Sequence, residues 1–536
     1  MTSVPTIADA VVIGSGPNGL VAANLLADRG WEVVVLEAAP VPGGAVRSAE
    51  LTVPGYTHDV FSAFYPFAAA SPVMRSLRLE DHGLTWCRAP LVLGHPIPNG
   101  PSAVLSMDRS VTEASLEQFA RRDGEQWREL MEPWDRLKGP LLAALLAPFP
   151  PVRAALATAV ALPPRALEDF VRTALLPARR LAEERFAGDG ARLLLTGNAL
   201  HADLAPEATA SGFFGLLLAG MGADVGFPVP QGGAGQLAAA LVRRLEAKGG
   251  RVEVGSRVER IVVDDGRATG VVVNGATVTA RRAVLADVAA PALYGGLVGF
   301  DELPARVHGA IAHYERGPST VKVDWALRAP IPWADPVLGG AGTVHIGDSM
   351  DELSEYASHL ATHQIPSHPF LLLGQMNTAD PTRSPPGTET AWAYAHVPQL
   401  ARSDAAGEIG VRWHDHDRDR FVARMEARIE AHAPGFRDRI IGRHVFAPPD
   451  FAAWNANLVG GDTTGGTAQL HQQLFLRPIP GLGRAETPIG RLYLASASAH
   501  PGGGVHGAPG ANAARAAIAH DRLRRAANRF PSLARR

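Results

Sequence analysis

The stretch AVVIGSGPNGLVAANLLADRGWEVVVLE, residues 10–37, decides the fold. Residues 10–13 are a short apolar run of the kind a buried parallel strand shows. Gly14, Gly16 and Gly19 follow at G-x-G-x-x-G spacing, with Pro17 and Asn18 between the last two. The sequence predicts a helix over 20–28, with Gly30 at its C-cap, and a second buried strand over 33–36 that ends in Glu37. Strand, glycine loop, helix, strand and acid together are the βαβ dinucleotide fingerprint. Gly14 permits the tight turn, Gly16 lets the backbone approach a pyrophosphate, and Gly19 lets helix and strand pack closely. The helix N-terminus offers free N–H groups and a partial positive charge to the diphosphate. Glu37 stands where it accepts the adenosine ribose hydroxyls, and its charge disfavours the 2′-phosphate of NADP.

The chain has 536 residues, which is two or three domains' worth. Hydrophobic residues make up 46% and charged ones 19%, a globular mix, and a formal net charge of −2 gives no electrostatic case for nucleic acid. The single cysteine, Cys87, excludes a disulfide framework, a redox dithiol and a thiolate metal site, and is expected as a small buried hydrophobe. No basic-then-apolar signal opens the chain, so a cytoplasmic protein is expected. Only three of the 51 basic residues are lysines: Lys138, Lys248 and Lys322.

Two further glycine segments complete the pattern. PQGGAGQL (230–237) leads into a helix over 236–248 with Leu237, Leu241 and Leu245 on one stripe. Strands are expected over 251–254, 258–263, 268–273 and 276–280, with an Asn274-Gly275 hairpin turn, and another over 283–286. This succession is how FAD domains complete their sheet. Near the C-terminus a strand over 491–495 delivers HPGGGVHGAPG (500–510) to an alanine-rich helix over 511–525, a site for negative charge such as the reduced flavin's pyrimidine end. Between these pieces, 96–227 is helix-rich, with proline-broken apolar runs at 141–149 and 152–162. Residues 300–443 mix strands (320–327, 370–376) with a helix over 417–431. We therefore expect a discontinuous FAD-binding domain (1–95, 228–299 and 444–536) and a substrate or helical insert domain (96–227 and 300–443). No apolar run reaches the length of a membrane-spanning helix without interruption.

The GSGPNG loop, the EAAPVPGGAVRS run after it, PQGGAGQL and the terminal LYLASASAHPGGGVHGAPGANAA are together similar to the phytoene-desaturase-related FAD-dependent oxidoreductases, and most to their pyridine nucleotide-disulphide oxidoreductase domain-containing branch. The resemblance implies an α/β fold: a Rossmann-like FAD-binding domain of glutathione-reductase/amine-oxidase type with an interleaved mixed α+β substrate domain. It implies non-covalent FAD, with Gly43, Gly44 and Arg47 at the pyrophosphate and flavin and Val258 meeting the adenine through its backbone. Gly503, Gly504, Val505 and His506 would lie against the isoalloxazine. Pro17, Asn18, Glu37 and Ala38 complete the expected cofactor contacts. Ser496 departs from the family, where many members have glycine. One cysteine cannot make the redox dithiol in the branch's name, and no second G-x-G-x-x-G marks an NADPH domain. Oxygen or a quinone is therefore the expected electron acceptor.

Flavin hydride transfer needs a dry pocket, orientation and a tuned flavin rather than a catalytic triad. Lys322 is the sharpest candidate for tuning. In strand 320–327, Val321, Val323, Trp325 and Leu327 share one face and Lys322 and Asp324 the other. Flavin amine oxidases carry a lysine on a similar strand near flavin N5; the alternative is a solvated Lys–Asp pair. His500 and His506 are candidates for acid/base work, or loop histidines satisfied by backbone. The HDHD cluster at 414–417 reads as a helix start rather than a metal site, and no metal is expected. Tyr56, His58, Asp59, Phe61, Phe64, Tyr65 and Phe67 line a substrate channel or pack in the core. The leading reading is an FAD-dependent dehydrogenase or desaturase taking hydride from an apolar, isoprenoid-like small molecule. The alternatives are a flavin amine or amino-acid oxidase and a non-catalytic prenyl- or lipid-binding protein. The proline-broken runs are expected to line the substrate tunnel and to dip into a membrane surface, or else to pack on themselves or on a second subunit in a homo-oligomer.

Overall fold

The computed structural model describes residues 5–529; the outer ends of the expected FAD-binding domain, 1–4 and 530–536, lie outside the described residues. Two seven-stranded sheets carry the chain. In the first, Ile7–Ile13 pairs in parallel with Val33–Leu36 on one side and Ala276–Ala286 on the other. Arg251–Glu253 extends one edge, and Leu492–Leu494 pairs in parallel with the end of Ala276–Ala286. The two-residue period of a strand sets the layers. Ala10, Val12, Val33 and Val35 face a core shared with helices Pro17–Ala27 and Ala508–Arg529. Val11, Ile13, Val34 and Leu36 face the opposite core, shared with the antiparallel meander Val258–Asp264, Arg267–Val273 and Ala276–Ala286. Asn274 and Gly275 turn the hairpin with φ of 50° and 72°, as a type I′ turn requires.

The strands expected at 276–280 and 283–286 are a single strand, Ala276–Ala286. A bulge between Ala280 and Ala283, opposite Ala8 to Ala10, absorbs the two arginines, which read in sequence as a break. Arg281 reaches Asp9 at 3.0 Å and Glu32 at 2.7 Å, and Arg282 reaches Asp521 at 2.5 Å.

The second sheet runs Ile440–Phe446, Ser319–Leu327, Glu389–Val397, Leu371–Gln375, Ala341–Ile346, Leu91–His95, Ala103–Leu105. One face packs on helix Asp415–His432 through Val321, Val323, Trp325, Phe421, Met425 and Ile429. Helices Asp189–Ala199 and Ser211–Val225 cover strands of the other face. Leu91–His95 and Ile440–Phe446 belong to this sheet, so divides at 95/96 and 443/444 do not follow its edges. The pairing of Leu91–His95 with Ala341–Ile346 bridges some 250 residues of chain, and no local pattern announces it. Run 141–149 is largely the end of one long helix, Asp123–Leu146, which keeps Pro133 and Pro140 inside it. Val152–Val160 is a separate helix with no buried residue. Among the described residues no helix is long and apolar enough to cross a membrane.

Candidate functional site: a dinucleotide cradle and an adjoining cavity

The first glycine loop passes from strand to helix with Gly16 at the N-cap and Pro17 in the first turn. A Cβ on Gly16 would meet the Asp287 carboxylate at 2.5 Å, and one on Gly44 would meet Gly16 Cα at 2.9 Å. The two loops are thus nested, backbone against backbone, where a pyrophosphate needs close approach. Asn18 Oδ1 is buried with no partner, open to a hydroxyl donor that the protein does not itself supply. Glu37, at the end of the second strand, accepts from Ser15 N at 2.8 Å, Ser15 Oγ at 2.6 Å and Ala39 N at 2.8 Å. Its carboxylate is fixed beside the loop, and Ala38 is exposed at the rim. Ser256 N donates to Glu37 O at 2.7 Å and Gly255 N to Ala39 O at 3.0 Å, which brings Val258 to the same rim.

The C-terminal loop closes on this cradle. A Cβ on Gly510 would meet Asn18 O at 1.9 Å, one on Gly507 would meet Val21, and one on Gly504 would touch the Phe67 ring at 3.2 Å. Ser71 Oγ donates to His506 O at 2.7 Å. Arg47 is partly buried, donates to Trp454 O at 2.7 Å and lies 5.8 Å above the Phe61 ring. Ser496 Oγ accepts from Ser498 N at 3.2 Å and closes the turn before the loop. The glycine cradle, the fixed acid, the orphaned Asn18 oxygen and the flanking C-terminal loop fit FAD.

Beside Gly503, Gly504 and Val505 opens a cavity of about 380 Å³. Phe61, Phe64, Phe67, Phe214, Phe227 and Trp392 line it. Among the described residues Lys322 is the single charged side chain in the lining. Lys322 is 3% exposed; Nζ lies 2.5 Å from both Asp324 oxygens and donates to Asp59 O at 3.0 Å. It is a buried ion pair, not a solvated one. Burial pushes the Asp324 carboxyl up, but Lys322 and His58 outweigh it and hold the group below its ordinary value. The aromatic run divides between both of its expected roles. Phe61, Phe64 and Phe67 line the cavity, and Tyr65 packs in the core against Trp86. Tyr56 is buried, His58 lies 3.6 Å from Asp324, and Asp59 pairs with buried Arg383 at 2.8 Å.

Other candidates fall elsewhere. Of the two readings of His506 and His500, the geometry is that of loop histidines held by backbone, and neither lines the cavity. His506 Nδ1 accepts from Ala508 N at 3.2 Å, so Nε2 carries the proton and donates to Gly503 O at 3.1 Å. His500 Nε2 lies 3.1 Å from Ala147 O. Burial lowers both rings to about 4 and keeps them neutral. The runs 141–149 and 152–162 do not line the cavity either; Asn198, His201, Ala202, Phe214, Leu217 and Leu218, from the following helices, do. Asp417 accepts from His414 N at 3.1 Å and from Gly410 N at 2.6 Å, the geometry of a helix start. Lys138 pairs with Asp224 and Lys248 with Asp28, and Cys87 is half-buried in strand Trp86–Cys87.

Sequence reading missed Asp287. It follows strand Ala276–Ala286, and its Oδ2 accepts from Gly19 N at 2.8 Å, inside the glycine loop. Burial, with Glu37 nearby, raises its carboxyl to about 7 against the Gly19 hydrogen bond. The one available signal was an acid placed directly after an apolar strand.

The family described as flavin containing amine oxidoreductase matches residues 18–404. The chain is 29% identical over 550 aligned residues to pyridine nucleotide-disulfide oxidoreductase domain-containing protein 2 of Mus musculus, covering 94% of this chain and 92% of that one. It is 25% identical to phytoene desaturase (lycopene-forming) of Pseudescherichia vulneris, covering 93% and 96%. Cyclohexylamine oxidase from Brevibacterium oxydans superposes with a TM-score of 0.56 at 17% identity, covering 96% of this chain and 99% of the other.

Proposed function

The chain belongs to the flavin containing amine oxidoreductase family, and from that premise we propose that it dehydrogenates an apolar, isoprenoid-like substrate, with oxygen or a quinone as acceptor. It is an FAD-dependent oxidoreductase; the finer assignment is ours. FAD, when bound, supplies hydride acceptance. The chain's own residues shape the rest. The observation that carries the reading is the cavity beside Gly503–Val505, lined mainly by aromatic and aliphatic side chains, whose one charged group among the described residues is already paired with Asp324. Such a lining excludes water and orients an apolar chain by packing. Lys322 holds a fixed positive charge at Nζ on the cavity wall. The phytoene desaturase relative supports a polyene-like substrate by its name.

Amine oxidation is the second reading, and Lys322 is what favours it. Against it, no carboxylate lines the cavity among the described residues to receive a substrate ammonium. Anaerobic titration of the purified flavoprotein separates the two. Farnesol or another linear isoprenoid should bleach the flavin, while cyclohexylamine, putrescine, NADH and NADPH should not. Bleaching by amines alone would overturn the assignment, and rapid stoichiometric bleaching by either nucleotide would overturn the acceptor.

A peripheral membrane contact completes the proposal. In helix Val152–Val160, Val152, Leu156 and Val160 stand at i, i+4 and i+8 and are 67%, 64% and 73% exposed. Arg153 is the helix's one charge, and an apolar stripe with a basic neighbour suits an anionic lipid surface.

A further inference from the structure

The pairing of the second sheet sets two rows of side chains across its strands. Lys322 pairs with Tyr394, Tyr394 with Leu372 and Leu372 with His345. Beside that row, Asp324 pairs with Trp392, Trp392 with Gly374 and Gly374 with Thr343. Residues paired in register project to one side of a sheet, and Lys322, Tyr394, Leu372, Trp392 and Thr343 all line the cavity. The floor is therefore charged at one end, aromatic and apolar in the middle, and neutral but polar at the other. Three strand spacings put the polar end about 14 Å from Lys322.

Helix Asp189–Ala199 and the turn after it bring Asn198 and His201 to the lining as well. His201 Nε2 and His345 Nε2 lie 2.7 Å apart, one donating to the other. Asn198 Nδ2 donates to Leu194 O at 2.8 Å, which fixes the amide and leaves Oδ1 as an acceptor. Asn198 Oδ1, Thr343 Oγ1 and His345 Nδ1 are buried and have no partner in the protein. Buried polar atoms without partners are rare, and each asks for an explanation. Burial lowers His201 to about 3 and the neighbouring His95 to about 4, so this end carries no charge at neutral pH. No charged side chain stands here to pair with a carboxylate or a phosphate.

We propose that this end of the cavity binds a terminal hydroxyl of an otherwise apolar substrate. The hydroxyl donates to Asn198 Oδ1 and accepts from Thr343 Oγ1, which a carbonyl or ether cannot do. Lys322 bounds the opposite end. The substrate class is then a long apolar alcohol, and the assignment rests on the apolar-substrate reading above.

The test uses the FAD-loaded enzyme and the shift of its flavin absorbance on binding farnesol or the hydrocarbon farnesene. Wild type should bind farnesol at least about tenfold tighter, the scale of one net hydrogen bond. Thr343→Val, nearly isosteric, should collapse that preference by weakening farnesol and not farnesene. Asn198→Ser gives a second reading of the same loss should the valine variant fail to hold FAD. Equal affinities in wild type, or a preference that survives both substitutions, would overturn the hydroxyl site and leave the apolar reading standing. Binding of neither probe would overturn the apolar reading and the hydroxyl site with it.

Discussion

At the smallest scale, the Lys322–Asp324 pair and Asp287 are buried ionisable groups beside the cavity and the cradle. Lys322 pairs with Asp324 out of water, so removing it alone leaves a buried carboxylate, a loss of about 3–5 kcal/mol. The informative variant is Lys322→Met with Asp324→Asn, which removes both charges. It should retain FAD and slow flavin reduction or reoxidation at least tenfold, about 1.4 kcal/mol of barrier, measured by stopped-flow absorbance. An unchanged rate would reduce the pair to packing. Asp287 makes a pH prediction. Its carboxyl ionises in the ordinary range in the unfolded chain and near 7 in the fold. The folded state therefore keeps a proton that the unfolded state has released, and stability from this group is full at low pH and lost as pH rises towards 7. Asp287→Asn keeps an acceptor for Gly19 N and removes the titration. Its melting temperature should gain on wild type from pH 4 to pH 8, and a constant difference would refute the assignment.

At the scale of elements, the C-terminal helix Ala508–Arg529 is docked by the absence of a side chain. A Cβ at position 510 would lie 1.9 Å from the Asn18 carbonyl, and backbone cannot yield as a flexible side chain can. Gly510→Ala should cost about 1–3 kcal/mol and lower FAD occupancy together with melting temperature. Normal occupancy with only a lower melting point would confine the contact to stability. This helix and the first βαβ unit were legible because each is announced by local pattern: glycine spacing, an apolar run, an acid at a strand end. Lys322 was legible for the same reason, as a cation alternating with buried valines. Asn198, Thr343 and Asp287 were not. Their significance comes from strand register and from loops hundreds of residues apart, which period and composition do not carry. His500 and His506 left two readings open in sequence; backbone N–H and C=O groups occupy the His506 ring and Ala147 holds His500, as the backbone-satisfied reading has it.

Over the whole molecule, the glycine loop 500–507 serves both cradle and cavity: Gly507 packs on Val21 of the first helix, and Gly503–Val505 line the cavity. The exposed stripe of Val152–Val160 lies on neither sheet. If it meets lipid, the protein should float with anionic liposomes and lose that behaviour on Val152→Asp with Leu156→Asp, with flavin content unchanged. Full recovery in the unfloated fraction, or a dimer in solution that the same pair of substitutions dissolves, would assign the stripe to protein instead. The interleaving of the segments also bears on synthesis. The strand Leu492–Leu494 and the helix behind it are made some 480 residues after Ala10, Val12, Ala22 and Ala23, which they cover. Until residues 492–529 are made, those residues lack their cover. A nascent chain halted at residue 490 should therefore recruit holdase chaperones and remain protease-sensitive with FAD present, while a chain extended through residue 536 should do neither.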